Sequence, residues 1–469
     1  MSTSSSAIDA PARLRSAPDM DAAARYPLAG PSSAEARAAE DRLLDELQAA
    51  TPLRRALGYA KLTGPGFLVA ANTLGAGTLM GAMLMGAEFG YRTLWVLWLA
   101  MGLGLFMLAA SARFACRGGF RVIPEQNRLH GVIVGSGLTA MGVACVGVFY
   151  NFGQYSLATH VIESLTGRLG FEVPRSVNWI GVMAITSWLT LQYGRADARG
   201  TARVERFMQV SVLAMLIGFA ACLVAVGVDW PALLRGLTVP WLPRGGEGMT
   251  IFIASVSSAI GVMDWILFHY GGLARGWRVR HETLARYDMV LGGFVPFIII
   301  NVLIVSLCAE TLQGSGARPE QAQDLARALV PLFGEFWAEV FFYLGTVALP
   351  ISTTVGMSIA TAIVIHEAFG WPADTSSLRW KISALLPQIG FLGVWYSRPI
   401  WLVIMIGAFL SLTKHFVGWS YYLLLNDPRA LGCHTSGSYV WNAGMMLEVT
   451  LLNCVSISFV LTLLGLWPE

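Results

Sequence analysis

A charged side chain at a bilayer centre costs at least about 2.5 kcal/mol, so it is kept where it binds or moves something. This sequence places Asp264 inside the apolar run "ASVSSAIGVMDW", and Lys414 with His415 inside "LSLTKHFVGW". The stretch "NTLGAGTLMG", Asn72 to Gly81, adds an amide, hydroxyls and glycines without a charge. A hard divalent cation wants roughly six oxygens and carboxylate charge to offset dehydration; a softer one accepts nitrogen or thioether sulfur. The candidates are Asn72, Thr73, Thr78, the Ala259 carbonyl, Met263 and Asp264, with Asp264, Thr78 and Ala259 nearest the role of metal ligands. One carboxylate among neutral oxygens suits a weakly held, largely hydrated ion or a monovalent one. Asp264 is expected to face Lys414 across a cavity, where the ammonium takes the place of a bound cation. A static ion pair fits the same two residues. His269 and His415 are candidates for titration near neutral pH, although a lone histidine is more often a packing group.

These residues need a membrane frame. Of the 469 residues 55% are hydrophobic and 13% charged, against about 25% charged in soluble domains, and mean hydropathy is +0.58. Eleven apolar spans are expected, near 65–88, 93–112, 131–163, 177–193, 207–228, 249–272, 288–309, 332–366, 382–396, 399–425 and 438–466; about 20 residues suffice for each crossing. With the N-terminus inside, the inner loops hold 15 Arg and Lys and the outer loops 8, the latter diluted by Asp229, Glu247, Glu310, Glu320 and Asp324. The positive-inside bias thus predicts N-in, C-out in a cytoplasmic (inner or plasma) membrane. Residues 1–60 lack an apolar h-region, so no cleavable signal is expected. They read as a disordered start followed by an amphipathic helix around "SAEARAAEDRLLDELQAA" in the cytoplasm, a solvated leader in preference to one that binds a partner or the membrane surface. Six cysteines are scattered without a C-x-x-C pair and read as buried small hydrophobes. Hydropathy excludes a soluble enzyme. No phosphate loop, catalytic triad or zinc spacing is present, so neither a cofactor nor a nucleic-acid partner is expected; the partners are the lipid bilayer and a transported ion or small solute.

Two of the spans contain break signals. Lipid-exposed breaks leave unsatisfied N–H and C=O groups at several kcal/mol each, so they survive only under protein or around a polar cavity. The first span breaks at Gly75-Ala76-Gly77-Thr78, and the sixth between Ser257 and Asp264. Spans one and six are equivalent if ten helices form two five-helix repeats of opposite orientation, with a midplane site between them. The repeats then cover 61–228 and 247–425 of a transporter domain 61–469, with 438–466 as an extra helix. Close-packing Gly/Ser faces are the other explanation of the same residues.

The stretch "GPGFLVAANTLGAGTLMGAMLMGAEFGYRTLWVLWLA" resembles the first two helices of Nramp (natural resistance-associated macrophage protein) metal-ion transporters. "LSLTKHFVGWSYYLLLNDPRALG" is similar to their tenth helix and its exit. The resemblance covers about residues 60 to 466. It implies an all-α polytopic protein with a leucine-transporter-like 5+5 inverted repeat and broken helices 1 and 6. Those transporters bind metal with Asp-Pro-Gly-Asn in the first helix and Ala-x-x-Met-Pro-His in the sixth. Counting back from Phe89-Gly90-Tyr91 sets Gly75-Ala76-Gly77-Thr78 on the first motif, so glycine replaces the carboxylate and threonine the amide. In the sixth helix one register sets Ala259 on the alanine, Val262 on the methionine, Asp264 on the first histidine and His269 on the second; sliding by one sets Met263 on the methionine and loses His269. The family's Asp-x-x-Glu pair in helix three, which serves proton movement, matches Asn151-Phe-Gly-Gln154. Both are amides, which do not take up protons near neutral pH. The family's ninth-helix arginine corresponds to Lys381.

Three readings follow. The first is an Nramp-like secondary transporter of a metal cation, divalent by preference, through an altered site made by Asn72, Thr73, Gly75, Gly77, Thr78, Ala259, Val262, Met263 and Asp264. Asn151, Gln154, His269, Lys414 and His415 are its candidates for ion or proton coupling. The second is a carrier of a small organic solute, because "LGAGTLMG" is similar to the glycine-rich break of amino acid–polyamine–organocation carriers. There, freed N–H groups receive a carboxylate. The third is a non-transporting sensor or scaffold.

Overall fold

The computed structural model describes residues 34–466 apart from 49, 52–53, 56–57, 60–64, 193–205, scattered positions between 207 and 225, 314–329 and 433–437. Among the described residues all regular structure is helical. The first half holds α1 (Ala34–Gln48), α2 (Pro65–Thr73), α3 (Ala76–Phe89), α4 (Leu94–Arg113), the short α5 (Val122–His130), α6 (Met141–Arg168) and α7 (Arg175–Gln192). The second holds α8 (Trp230–Thr238), α9 (Gly246–Ala259), α10 (Val262–Ala274), α11 (Val295–Thr311), α12 (Val330–Ala368), α13 (Leu378–Leu385), α14 (Pro399–Asn426) and α15 (Tyr439–Leu463). Each half contains one broken helix, α2/α3 in the first and α9/α10 in the second.

Among the described residues seven helical stretches are long and apolar enough to cross a membrane. They carry the second, third, sixth, seventh, eighth, tenth and eleventh expected spans, with α3, the second half of span one, running on into α4. The fourth span is α7; the fifth, near 207–228, lies largely outside the described residues. The ninth is helical only through α13 and then tightens into a 3₁₀ stretch, Leu386–Trp395. Pro387 favours that change by lacking an N–H, and close approach to α6 fixes it: a Cβ on Gly393 would lie 2.2 Å from the Phe152 carbonyl oxygen. α12, the long eighth span, is interrupted at Gly334 (φ 70°, ψ 167°) and contains Pro350.

The distribution of polarity is inverted relative to a soluble domain. Ile133, Trp188, Leu447 and Ile457 are exposed on helix faces, while Asn151, Gln154, Asp264 and Lys414 are buried. Water would reward the opposite arrangement; hydrocarbon around the bundle rewards this one. Trp230, Trp395 and Tyr439, exposed at helix ends, suit an interfacial aromatic belt.

The expected amphipathic leader helix is α1, and it is docked rather than solvated. Leu44 and Leu47 on its apolar face are buried, and Asp41 meets Arg280 at 2.9 Å and His281 at 3.4 Å in the α10–α11 connection. Residues 1–33 lie outside the described part of the chain.

Candidate functional site

The break between α2 and α3 is held open by side chains that take over the backbone's lost partners. Gly75 is extended (φ −76°, ψ −175°) and leads into α3. The freed Thr73 carbonyl accepts from Thr78 Oγ1 at 2.5 Å, and the Asn72 carbonyl from Thr353 Oγ1 at 3.4 Å. The Ala76 N–H, an orphan donor of the new helix start, reaches Gln154 Oε1 at 3.3 Å. Glycine is required twice. A Cβ at 75 would stand 2.6 Å from Thr353 Oγ1, and one at 77 would stand 1.5 Å from the Tyr150 hydroxyl. Thr78 thus closes the break locally and does not line the cavity.

The second break lies at Ile260 (φ −103°, ψ 100°) and Gly261 (φ −94°, ψ 94°), between α9 and α10. Asp264 is in the first turn of α10, where the positive end of the helix dipole favours a carboxylate. Its Oδ1 accepts from Asn72 Nδ2 at 2.7 Å, and its Oδ2 lies 2.5 Å from Thr73 Oγ1. Thr73 Oγ1 also lies 2.8 Å from the Val69 carbonyl, so its single proton has two acceptors when Asp264 is ionised. The carboxylate folds over Gly261, where a Cβ would be 1.7 Å from Asp264 Oδ2.

Lys414, from the middle of α14, donates to the carbonyls of Ser257 and Ile260, the latter at 3.0 Å. Asp264 and Lys414 are expected from the sequence to face one another across a cavity, with the ammonium in the place of a cation. The two groups line one cavity, but the ammonium satisfies carbonyls freed at the C-terminal end of α9 and the carboxylate is held by α2. The break thus puts a positive group on the negative pole of one half-helix and a negative group on the positive pole of the other.

Asn72, Thr73, Val262, Met263, Asp264 and Lys414 line this cavity, joined by Val146, Tyr150, Ser258, Gly261 and Met357; the free room is about 30 Å³, enough for a water or a single ion. A larger surface cavity of about 590 Å³, lined by Phe89, Arg92, Asp229, Arg235 and Trp241 among others, holds no residue of either break. Ala259 ends α9 without lining the midplane cavity. Asn151 stands behind the cavity, accepting from Thr354 Oγ1 at 2.7 Å and donating to the Gly147 carbonyl at 2.5 Å.

The histidines are elsewhere. His269 is fully buried with its ring nitrogens on the carbonyls of Ser111 (3.2 Å) and Phe120 (2.9 Å), bracing α10 against α4 and the segment after it. His415 faces outward to Ser456 of α15, with Nδ1 3.1 Å from Oγ. Neither touches the cavity: His415 follows the cavity-lining Lys414 by one residue and so points about 100° away around α14, and His269 lies five residues past Asp264, beyond the first turn of α10. The hydroxyls of the eighth span divide: Ser352 bonds the preceding turn, while Thr353 and Thr354 cross to helices α2 and α6.

Sequence reasoning missed Tyr150 and Ser258, whose hydroxyls pair at 2.8 Å across the cavity. The signal was available. Gly147, Tyr150, Asn151 and Gln154 fall at i, i+3, i+4 and i+7, one face of α6. Among the described residues no three His, Cys, Asp or Glu side chains converge to hold a metal, so any ion here relies on one carboxylate and neutral oxygens.

Comparison with known proteins agrees with the helical fold that carries this site. The divalent metal cation transporter MntH of Acidiphilium cryptum is 25% identical over 356 residues, 73% of this chain and 76% of its own. A manganese transporter of Eremococcus coleocola, solved with an aromatic bis-isothiourea compound, superposes with a TM-score of 0.70 at 14% identity, over 88% of both chains. Mhp1, a nucleobase-cation-symport-1 family transporter, superposes with a TM-score of 0.56 at 13% identity, over 86% of this chain and 91% of its own; at such identities the likeness concerns the fold, that of the inverted-repeat transporters. The family model described as natural resistance-associated macrophage protein-like matches residues 66–462, and the chain belongs to this Nramp family of membrane transporters.

Proposed function

We propose that the protein is a secondary transporter that carries a divalent metal cation through the cavity between the two helix breaks, with Asp264 as its charged ligand. The single observation that carries the reading is the buried Asp264 carboxylate, clasped by Asn72 and Thr73 beside a space the size of one ion. Relatives named divalent metal cation transporters support the choice of substrate. The ligands on this reading are Asp264, the Asn72 amide oxygen, which is buried and has no hydrogen-bond partner, Thr73 and the Met263 thioether, with waters completing the shell. A free volume of about 30 Å³ favours an ion over an amino acid.

The loop charges support an N-terminus inside and a C-terminus outside in a cytoplasmic membrane. The same reading divides residues 61–228 and 247–425 into two repeats, preceded by the leader 1–60 and followed by the helix 438–466. On the sequence resemblance Asn151 and Gln154 match the family's proton-moving acids, and as amides they support a reading of transport without a co-transported proton.

The test is uptake into proteoliposomes, with Mn²⁺, Mg²⁺ and a panel of amino acids supplied separately. Uptake of a metal ion, abolished in Asp264→Asn, is the expected result. Uptake of an organic solute alone would assign the cavity to the small-solute reading, and no uptake of any of them would leave a sensor or scaffold.

A further inference from the structure

Lys414 is 3% exposed and sits in the middle of α14. Its ammonium donates to the carbonyls of Ser257 and Ile260, which close α9 at the break. A half-helix C-terminus with freed carbonyls is the kind of place where inverted-repeat transporters coordinate a cation, and the helix dipole adds negative potential there. In this chain a cation carried by the protein itself already fills that place. Ser257 Oγ and Asn72 Oδ1, both buried, have no hydrogen-bond partner, so oxygens remain unused around a site whose carbonyl half is occupied.

We propose that Lys414 is a tethered cation that holds the carbonyl half of the midplane site, excludes an ion from it, and sets the site to weak, exchangeable binding at Asp264. This rests on the reading of Asp264 as the cation ligand. Two effects act in the same direction. The lysine removes Ser257 O and Ile260 O from the roughly six oxygens a hard divalent ion requires. Its charge also cancels that of Asp264 inside one cavity, where screening by water is weak. The chain thereby lowers affinity without losing the carboxylate that admits the ion.

The experiment is isothermal titration of the purified full-length protein with Mn²⁺, in the wild type and in Lys414→Met, which keeps most of the stem and removes the ammonium. The variant is expected to bind Mn²⁺ at least about tenfold more tightly. Na⁺ is also expected to raise the thermal unfolding temperature of the variant and not that of the wild type, because the bared carbonyls then accept an ion. Both are gains, which loss of a structural contact does not produce. Unchanged or weaker Mn²⁺ binding in a monodisperse Lys414→Met overturns the proposal. If Lys414→Met aggregates, Lys414→Gln is read in the same way, and failure of both to give monodisperse protein makes the lysine a structural strut and also overturns it. Asp264→Asn separates the two ideas: if it binds Mn²⁺ as the wild type does, the site reading itself fails, whereas lost binding there beside no gain at Lys414 overturns this proposal alone.

Discussion

Asn72 and Asp264, 192 residues apart in the sequence, meet at 2.7 Å where the two broken helices face each other. The amide donates to Asp264 Oδ1, and the Thr73 hydroxyl lies against Oδ2, so one carboxylate joins the break of the first half to that of the second. A buried hydrogen bond to a charged group is worth about 1.5–3 kcal/mol. Asn72→Ala is therefore expected to lower the thermal unfolding temperature and to weaken Mn²⁺ binding together, measured by thermal unfolding and titration. A variant as stable and as tight-binding as the wild type would show that the bond joins nothing of consequence.

Gly77 is the point of closest approach between the first break and α6, with the Tyr150 hydroxyl in the space a methyl group would need. Gly77→Ala is expected to cost about 1–3 kcal/mol through overpacking and to suppress uptake by pushing Tyr150 into the cavity. The double variant Gly77→Ala/Tyr150→Phe recovers part of the stability, because it removes the colliding oxygen. Comparison of unfolding temperatures in the two variants checks the sign of that coupling.

Much of the fold was legible because apolar runs must be about 20 residues long to cross hydrocarbon, and because Gly75 and Gly77 are conspicuous inside such a run. Asp264 was legible for the same reason: a lone carboxylate among apolar residues has to find donors. Its donors were harder to read. Nothing in the local sequence says that Asn72 rather than Lys414 bonds it, since that depends on how α2 and α14 sit against α10. His269 and His415 looked like site residues by type, but a helix presents only one stripe to the cavity, and these two lie off it. The ninth span reads as an ordinary helix in the sequence, and its 3₁₀ stretch follows from the approach of Gly390 and Gly393 to Asn151 and Phe152. Sequence period does not reveal how close a partner backbone comes.

Asn151 and Gln154 hold backbone and hydroxyl partners with groups that do not ionise near neutral pH. Metal uptake by proteoliposomes is therefore expected to leave an entrapped pH-sensitive dye unchanged. The double variant Asn151→Asp/Gln154→Glu supplies the missing acids and is the natural comparison. Acidification of the lumen that keeps pace with wild-type metal entry would contradict the assignment.

Asp427 closes the exit of α14. Its carboxylate accepts from Arg429 Nη2 at 2.7 Å and faces His130 Nε2 at 3.0 Å. The Arg429 guanidinium beside it holds the carboxyl well below the usual carboxylate range. A depressed folded-state value contributes stability above the ordinary carboxylate pKa of about 4, and that contribution is lost as pH falls toward the folded value. The difference in unfolding temperature between the wild type and Asp427→Asn is thus expected to shrink as pH falls from about 5 to below about 4. A difference that grows on acidification would contradict the sign.

The central claim is that the Asp264 carboxylate is what the transported cation binds. Titration of Mn²⁺ into the purified wild type and Asp264→Asn tests it most directly, because asparagine keeps the shape and removes the charge. The account predicts saturable binding in the wild type and loss of at least about tenfold in affinity in the variant. Equal Mn²⁺ affinity in the two proteins would contradict it.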